Sequence, residues 1–243
     1  MPTRATTIFA AAVLICLIPV AGLAIQPYSQ DFESLFADDS YALGADGWLV
    51  WGNVSTAEGT YLYSYGPFEA PNAGVGGTPD AFCAIAVGEG GPPQGSQVLV
   101  VYSDYQNSDH FFGNLIESNV YREQIIGPAD IGTTWVFNFD AKLGNLEGSS
   151  TALAFIKTVD PVDGTLSNFI TVDMTSTPIT WSSYSLSIAI DPSLEGHLLQ
   201  IGFLNTATNF EGSGIFYDNI DFHLGDPVRV DQATWGRVKS LYR

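Results

Sequence analysis

The chain is predicted to be all-β, an antiparallel β-sandwich of jelly-roll type, on three observations. Short apolar runs alternate with polar residues at period two along most of the sequence, as half-buried strands do. The sharpest is Tyr184, Leu186, Ile188 and Ile190 against Ser183, Ser185, Ser187 and Ala189. The 25 glycines and 13 prolines are spread between these runs, as many turns require. No stretch of ten or more residues carries a helical period. About ten strands of this kind bury their faces best as two packed antiparallel sheets.

Three segments divide the 243 residues. Residues 1–24 read as a secretory leader, with Arg4, an apolar run from Ile8 to Val20, and the small-x-small site Gly22-Leu23-Ala24. That run is shorter than the roughly 20 residues a membrane span needs, so no transmembrane segment is expected once the leader is removed. Residues 25–225 form the sandwich, and residues 226–243 a basic tail. Loss of the leader removes Cys16 and leaves Cys83, so the exported domain has no internal disulfide and depends on packing. Cys83 lies in the apolar run Ala81 to Val87, where a buried inert thiol is expected.

The strands follow in order. Tyr28 to Leu35 gives a first short strand, and a polar loop through Asp38, Asp39 and Asp46-Gly47 leads to Trp48-Leu49-Val50-Trp51. Thr60 to Tyr65 puts Tyr61, Tyr63 and Tyr65 on one face. Strands are expected at Ala81–Val87 and Gln97–Ser103, then a long irregular loop from Asp104 to Leu115 containing Tyr105, Phe111 and Phe112. Further strands are read at Val120–Ile126, Thr133–Leu143, Ala152–Val159, Asn168–Met174, Thr180–Ile190 and Leu198–Leu204. The run Leu198–Leu204 is apolar on both faces, as a central strand is. Trp48, Trp135 and Trp181 are assigned to the core.

The closing strand, Gly214 to Leu224, organises the site prediction. Strict alternation places Phe216, Ile220, Phe222 and Leu224 on one face, with Tyr217, Asn219, Asp221 and His223 on the other. Asp218 then falls on the apolar face, where an unpaired carboxylate is costly and calls for a cation or several donors.

Charge bounds the partners. The formal net charge is −18, and four of the eight Lys and Arg residues (Arg229, Arg237, Lys239, Arg243) lie in the tail. Such a field repels nucleic acid and anionic membranes from the body of the protein. His110, His197 and His223 are isolated, there is no Cys-x-x-Cys, and neither a Gly-x-Ser-x-Gly elbow nor a P-loop occurs, so no catalytic residues are assigned. Glu117 and Glu123 share parity on one strand and are the remaining acid pair that a glycan-active hydrolase could use. Candidate platforms for the apolar faces of sugar rings are Tyr61, Tyr63, Tyr65, Trp51 and the loop residue Tyr105; packed aromatic pairs are the competing reading of the Tyr row.

The order of several short motifs resembles a broad group of extracellular jelly-roll modules. They are Asp-Phe-Glu at 31–33, Gly47-Trp48, Asp-Ala-Lys at 140–142, Thr-Trp-x-x-Tyr-x-Leu at 180–186 and Tyr-Asp-Asn-Ile at 217–220. The group comprises carbohydrate-binding modules together with MAM-like, cleaved-adhesin and choice-of-anchor domains. The resemblance implies a secreted or cell-surface, non-catalytic module whose partner is a polysaccharide or surface glycan. It also implies a structural Ca2+ joining the first strand to the last, held by Glu33 and Asp218, with Asp31 or backbone carbonyls completing the shell. The alternative is a structural adhesin or envelope protein attached through its tail. Trp235 to Arg243 is similar to endings associated with exported bacterial proteins, which would make cell-envelope attachment machinery a partner.

Overall fold

The computed structural model describes residues 24–225. Apart from Ala24, the leader lies outside the described residues, as does the whole tail. Twelve strands form among the described residues, two more than the rough count from alternation. They are β1 (Tyr28–Gln30), β2 (Leu49–Ser55), β3 (Tyr61–Glu69), β4 (Cys83–Val87), β5 (Gln97–Val101), β6 (Leu115–Ile125), β7 (Thr134–Leu146), β8 (Thr151–Val159), β9 (Leu166–Asp173), β10 (Ser182–Ala189), β11 (Leu198–Ala207) and β12 (Ser213–Leu224). The one described α-helix, Ala42–Ala45, is a single turn inside the polar loop before β2. No described helix is long and apolar enough to cross a membrane.

The strands pair antiparallel in two sheets that enclose one core. The first runs β10-β7-β12-β5-β4, with β1 also paired to β12, and the second runs β3-β2-β6-β11-β8-β9. This is the antiparallel sandwich the alternation predicts. Trp135, Phe137, Phe139 and Ala141 of β7 are buried, and Leu186 and Ile188 of β10 pack beside them. Strand β11 sits between β6 and β8 in the middle of its sheet, which explains its apolar character on both faces. Trp48 and Trp135 are in the core as expected. Trp181 is not: it is half-buried outside, over Lys142, whose Nζ lies 5.5 Å from its ring. Cys83 is fully buried, and burial pushes its thiol well above the ordinary pKa, so it is an inert packing residue.

Two register shifts correct the simple alternation. On β12 Asp218 stands opposite Asp140 and Asp221 opposite Asn138, so three steps on β12 match two on β7. The additional residue includes Asn219, in the left-handed region at φ 49°, a conformation that asparagine tolerates better than most residues. The bulge reverses the faces midway along the strand. Tyr217, Ile220 and Phe222 therefore point into the core, and Asp218 points away from it. Asp218 is buried all the same, because other segments cover it.

The second shift lies between Val54 and Ser55 of β2, where Ser55 pairs with Tyr61 and Val54 with Tyr63. It divides the expected Tyr row. The hydroxyls of Tyr61 and Ser64 pair at 3.0 Å, and Ser64 donates to Asn53 on the outer face. Tyr65 lies on the other side, over Gly52, where a Cβ would stand only 2.2 Å from its ring. Its hydroxyl donates to Asp104 at 2.7 Å, while Tyr63 donates to Asp109 at 2.5 Å.

The sheets are joined by aromatic packing. Phe203 of β11 stacks on Tyr217 of β12 with centroids 3.6 Å apart, and Trp48, Phe137 and Phe139 surround the pair at 5.2–6.3 Å. Phe203→Ala is expected to cost about 3–5 kcal/mol, as fully buried Phe deletions do, measured as a lower urea midpoint with an unchanged slope. A loss below about 1 kcal/mol would show that the sheets do not depend on this contact.

Candidate functional site

The bulge on β12 follows Asp218, which stands opposite Asp140 and feels the charges of Asp31 and Glu33 as well. Asp218 is fully buried. The Asn219 N–H donates to its Oδ1 at 2.7 Å, and its Oδ2 is buried with no hydrogen-bond partner among the described residues. Burial first, then the charges of Asp31, Asp140 and Glu33, push its pKa up to about 7, against the lowering effect of the Asn219 N–H. The family resemblance implied one site of Glu33, Asp31 and Asp218; the charges of Asp31 and Glu33 both act on Asp218.

Glu33 is anchored by the strand it faces. Its Oε1 accepts the N–H groups of Ser96 and Gln97 at 2.6 and 2.5 Å. Gly95 permits this approach: a Cβ there would lie 2.6 Å from Glu33 Oε1, and its φ of +65° favours glycine.

Asp140, opposite Asp218 in the ladder, was not among the predicted site residues. Its Oδ1 accepts from Ser183 at 2.6 Å, and its Oδ2 from Gln94 and Asn219, both at 2.8 Å. Burial acts to raise its pKa, but these three hydrogen bonds outweigh it and hold the carboxyl below its ordinary value. Two facing carboxylates thus have opposite environments, one fully bonded and ionised, the other short of a partner. Among the described residues no three His, Cys, Asp or Glu side chains already stand at metal-holding distances. The buried, unpartnered Oδ2 of Asp218 is nevertheless a hard oxygen donor of the type Ca2+ takes, with carboxylates nearby to add charge, so the residues fit such an ion.

Tyr105 occupies a second place. It lies in the loop between β5 and β6, in an open depression of about 550 Å³ at one end of the sandwich. Its ring stacks on Tyr102 with centroids 5.7 Å apart and planes at 11°, and Phe210 stands 6.5 Å away. Asp80, Asn145, Glu147 and Glu211 supply polar groups along the same depression. The Tyr105 hydroxyl donates to the Glu211 carbonyl at 2.5 Å and pairs with Ser213 Oγ at 2.6 Å, which fixes the ring. Beside it Phe111 is 77% exposed and meets Phe210 edge-on at 4.7 Å. Tyr102, Phe210 and the polar residues escaped sequence reasoning because they come from four separate segments.

Trp51 lies elsewhere, half-buried on the outer face of the second sheet beside a small cluster of Tyr121, Phe155 and Leu204. Its Nε1 donates to Asn53 Oδ1 at 2.8 Å, and Asn53 Nδ2 donates to Glu117 Oε1 at 2.7 Å. Glu117 and Glu123 are six residues apart on β6, or about 20 Å at the rise of a strand, too far for an acid pair flanking one glycosidic bond. Glu123 accepts from Gln200 at 2.7 Å.

No family model and no curated protein matches the chain. Several solved structures are similar to it. The enzymatically active domain of tailspike protein 4 from bacteriophage CBA120 has 14% identity and a TM-score of 0.46, over 79% of this chain and 21% of that one. The chain thus spans about a fifth of that protein's length. The C-terminal family 22 carbohydrate-binding module of Clostridium thermocellum Xyn10B has 16% identity and a TM-score of 0.43, over 83% and 94%. A cyclase from Fischerella sp. TAU has 12% identity and a TM-score of 0.46, over 84% and 100%. By name these neighbours do different things, so the ligand has to be read from this chain's own side chains.

The raised pKa of Asp218 gives a pH prediction. The folded chain holds this proton more tightly than the unfolded one, whose carboxyl stays near 3.8. The contribution is complete below pH 4 and is lost as pH rises through about 7. In metal-free buffer the wild type should therefore lose stability relative to Asp218→Asn between those values, ending about 1–3 kcal/mol less stable than the variant. Parallel melting curves for the two proteins from pH 4 to pH 8 would contradict it.

Proposed function

We propose that the chain is an exported, non-catalytic module that binds carbohydrate through the aromatic depression around Tyr105 and is stabilised by Ca2+ at Asp218. The observation carrying the sugar reading is the conjunction of Tyr102, Tyr105 and Phe210 with Asp80, Asn145, Glu147 and Glu211 in one open depression. Aromatic faces pack against the C–H faces of a pyranose ring, and carboxylates and amides bond its hydroxyls. Trp51 is a weaker platform because its N–H is already engaged with Asn53. The leader at 1–24 supports export, and the basic tail at 226–243 is the segment available for attachment to the cell envelope.

For the ion, Asp218 Oδ2 would supply one ligand and Asp31 and Glu33 further carboxylate oxygens, with carbonyls or water making up the six to eight that Ca2+ takes. Its charge would offset the burial, and with it the repulsion from Asp31, Asp140 and Glu33, that raise the Asp218 pKa, and so tie β12 to the segment after β1.

Two measurements test these readings separately. On a glycan array and in affinity electrophoresis against soluble polysaccharides, the full chain should be retained by at least one glycan. Tyr105→Ala should weaken that retention about tenfold or more, and Trp51→Ala should leave it within about twofold. Retention of no glycan, or equal loss in both variants, would overturn the site. For the ion, Ca2+ at about 100 times its Kd should add roughly 2.7 kcal/mol to the wild type. Asp218→Asn should gain little, and an equal gain in both proteins would remove Asp218 from the ligand set.

A further inference from the structure

Lys157 is the unusual cation of this acidic body. The described residues include three Lys and Arg side chains, of which Arg122 lies 3.6 Å from Asp46 and Lys142 3.0 Å from Glu89. Lys157 makes no salt bridge with any described carboxylate. Its Nζ lies instead 2.6 Å from Oδ1 of Asn119, a residue 38 positions away and only 2% exposed. Two rings cover the amine, with the centroid of Phe155 at 4.1 Å and that of Phe169 at 4.9 Å. On its other side the Asn119 amide donates from Nδ2 to Glu117 Oε1 at 3.0 Å. An amine, a carboxamide and a carboxylate thus stand in line on the outer face of the second sheet, in apolar surroundings.

We propose that Lys157 and Asn119 join in a covalent isopeptide bond, with Glu117 carrying the proton. The Nζ lone pair attacks Cγ of Asn119 and forms the new N–C bond. Nζ gives up a proton, which reaches Glu117 through solvent because the two are not paired directly; Glu117 delivers a proton to the Nδ2 it is bonded to, and the Cγ–Nδ2 bond breaks to release ammonia. Amine plus primary amide gives secondary amide plus ammonia, so atoms and charge balance without oxidant, metal or cofactor. The environment favours the neutral amine that must attack: burial lowers the Lys157 pKa to about 8, with the charge of Glu117 opposing it. Because β6 and β8 are the two neighbours of β11, the bond would clamp the second sheet across its central strand.

Mass spectrometry of the purified full chain, with its N-terminus established, tests the proposal. The wild type should weigh about 17 Da less than its sequence, the mass of one ammonia. Proteolysis should yield a branched peptide joining the segments around Asn119 and Lys157. Lys157→Arg, which keeps the cation, and Glu117→Gln, which keeps the shape, should both show the unmodified mass and linear peptides while retaining the β-sheet circular dichroism of the wild type. A folded wild type of full sequence mass, with both peptides linear after prolonged incubation at pH 9, would overturn the bond. Crosslinking of Glu117→Gln at the wild-type rate would overturn the proton-transfer role.

Discussion

The structure depends on the contact between Phe203 and Tyr217. Each belongs to an inner strand of its own sheet, and their stacked rings hold the two sheets together at the centre of the core. Without a disulfide among the described residues, apolar burial of this kind is what opposes the entropy of the chain. Tyr217 reaches that position with its hydroxyl buried and unpartnered among the described residues. A polar group left unbonded there is an energetic cost, which the surrounding aromatic packing offsets.

Placing Tyr217 in the core has a consequence one residue later. Asp218 must turn outward, and the bulge at Asn219 is then needed to bring Ile220 and Phe222 back to the core face. The bulge also aims the Asn219 amide at Asp140, so the same distortion satisfies one carboxylate and leaves its neighbour short of a donor. The candidate ion site is in this sense a by-product of keeping β12 apolar on its inner side. Bulges commonly sit where a strand has to re-aim a side chain.

Charge is distributed with similar economy. Acidic residues dominate the surface, yet the described cations each have a fixed place: Arg122 over the Tyr28 ring and beside Asp46, Lys142 between Glu89 and Trp181, and Lys157 against Asn119 and two Phe rings. These long side chains bury their stems while their heads meet specific partners. The aromatic depression at the end of the sandwich is lined by carboxylates alone among charged groups.

Local pattern determined the fold class, most strand positions, the burial of Trp48 and Trp135 and the inertness of Cys83. Period-two alternation and turn composition act over a few residues, and these features follow from them directly. Tertiary structure decided the face of Asp218, the division of Tyr61 from Tyr63 and Tyr65, the exclusion of Trp181 from the core, and the company that Tyr105 and Lys157 keep. A single inserted residue reverses every side chain beyond it, and alternation shows no trace of the insertion until a partner strand fixes the register. Nor does alternation say that β6 and β8 flank the same strand, the pairing that sets an amine against an amide 38 residues away.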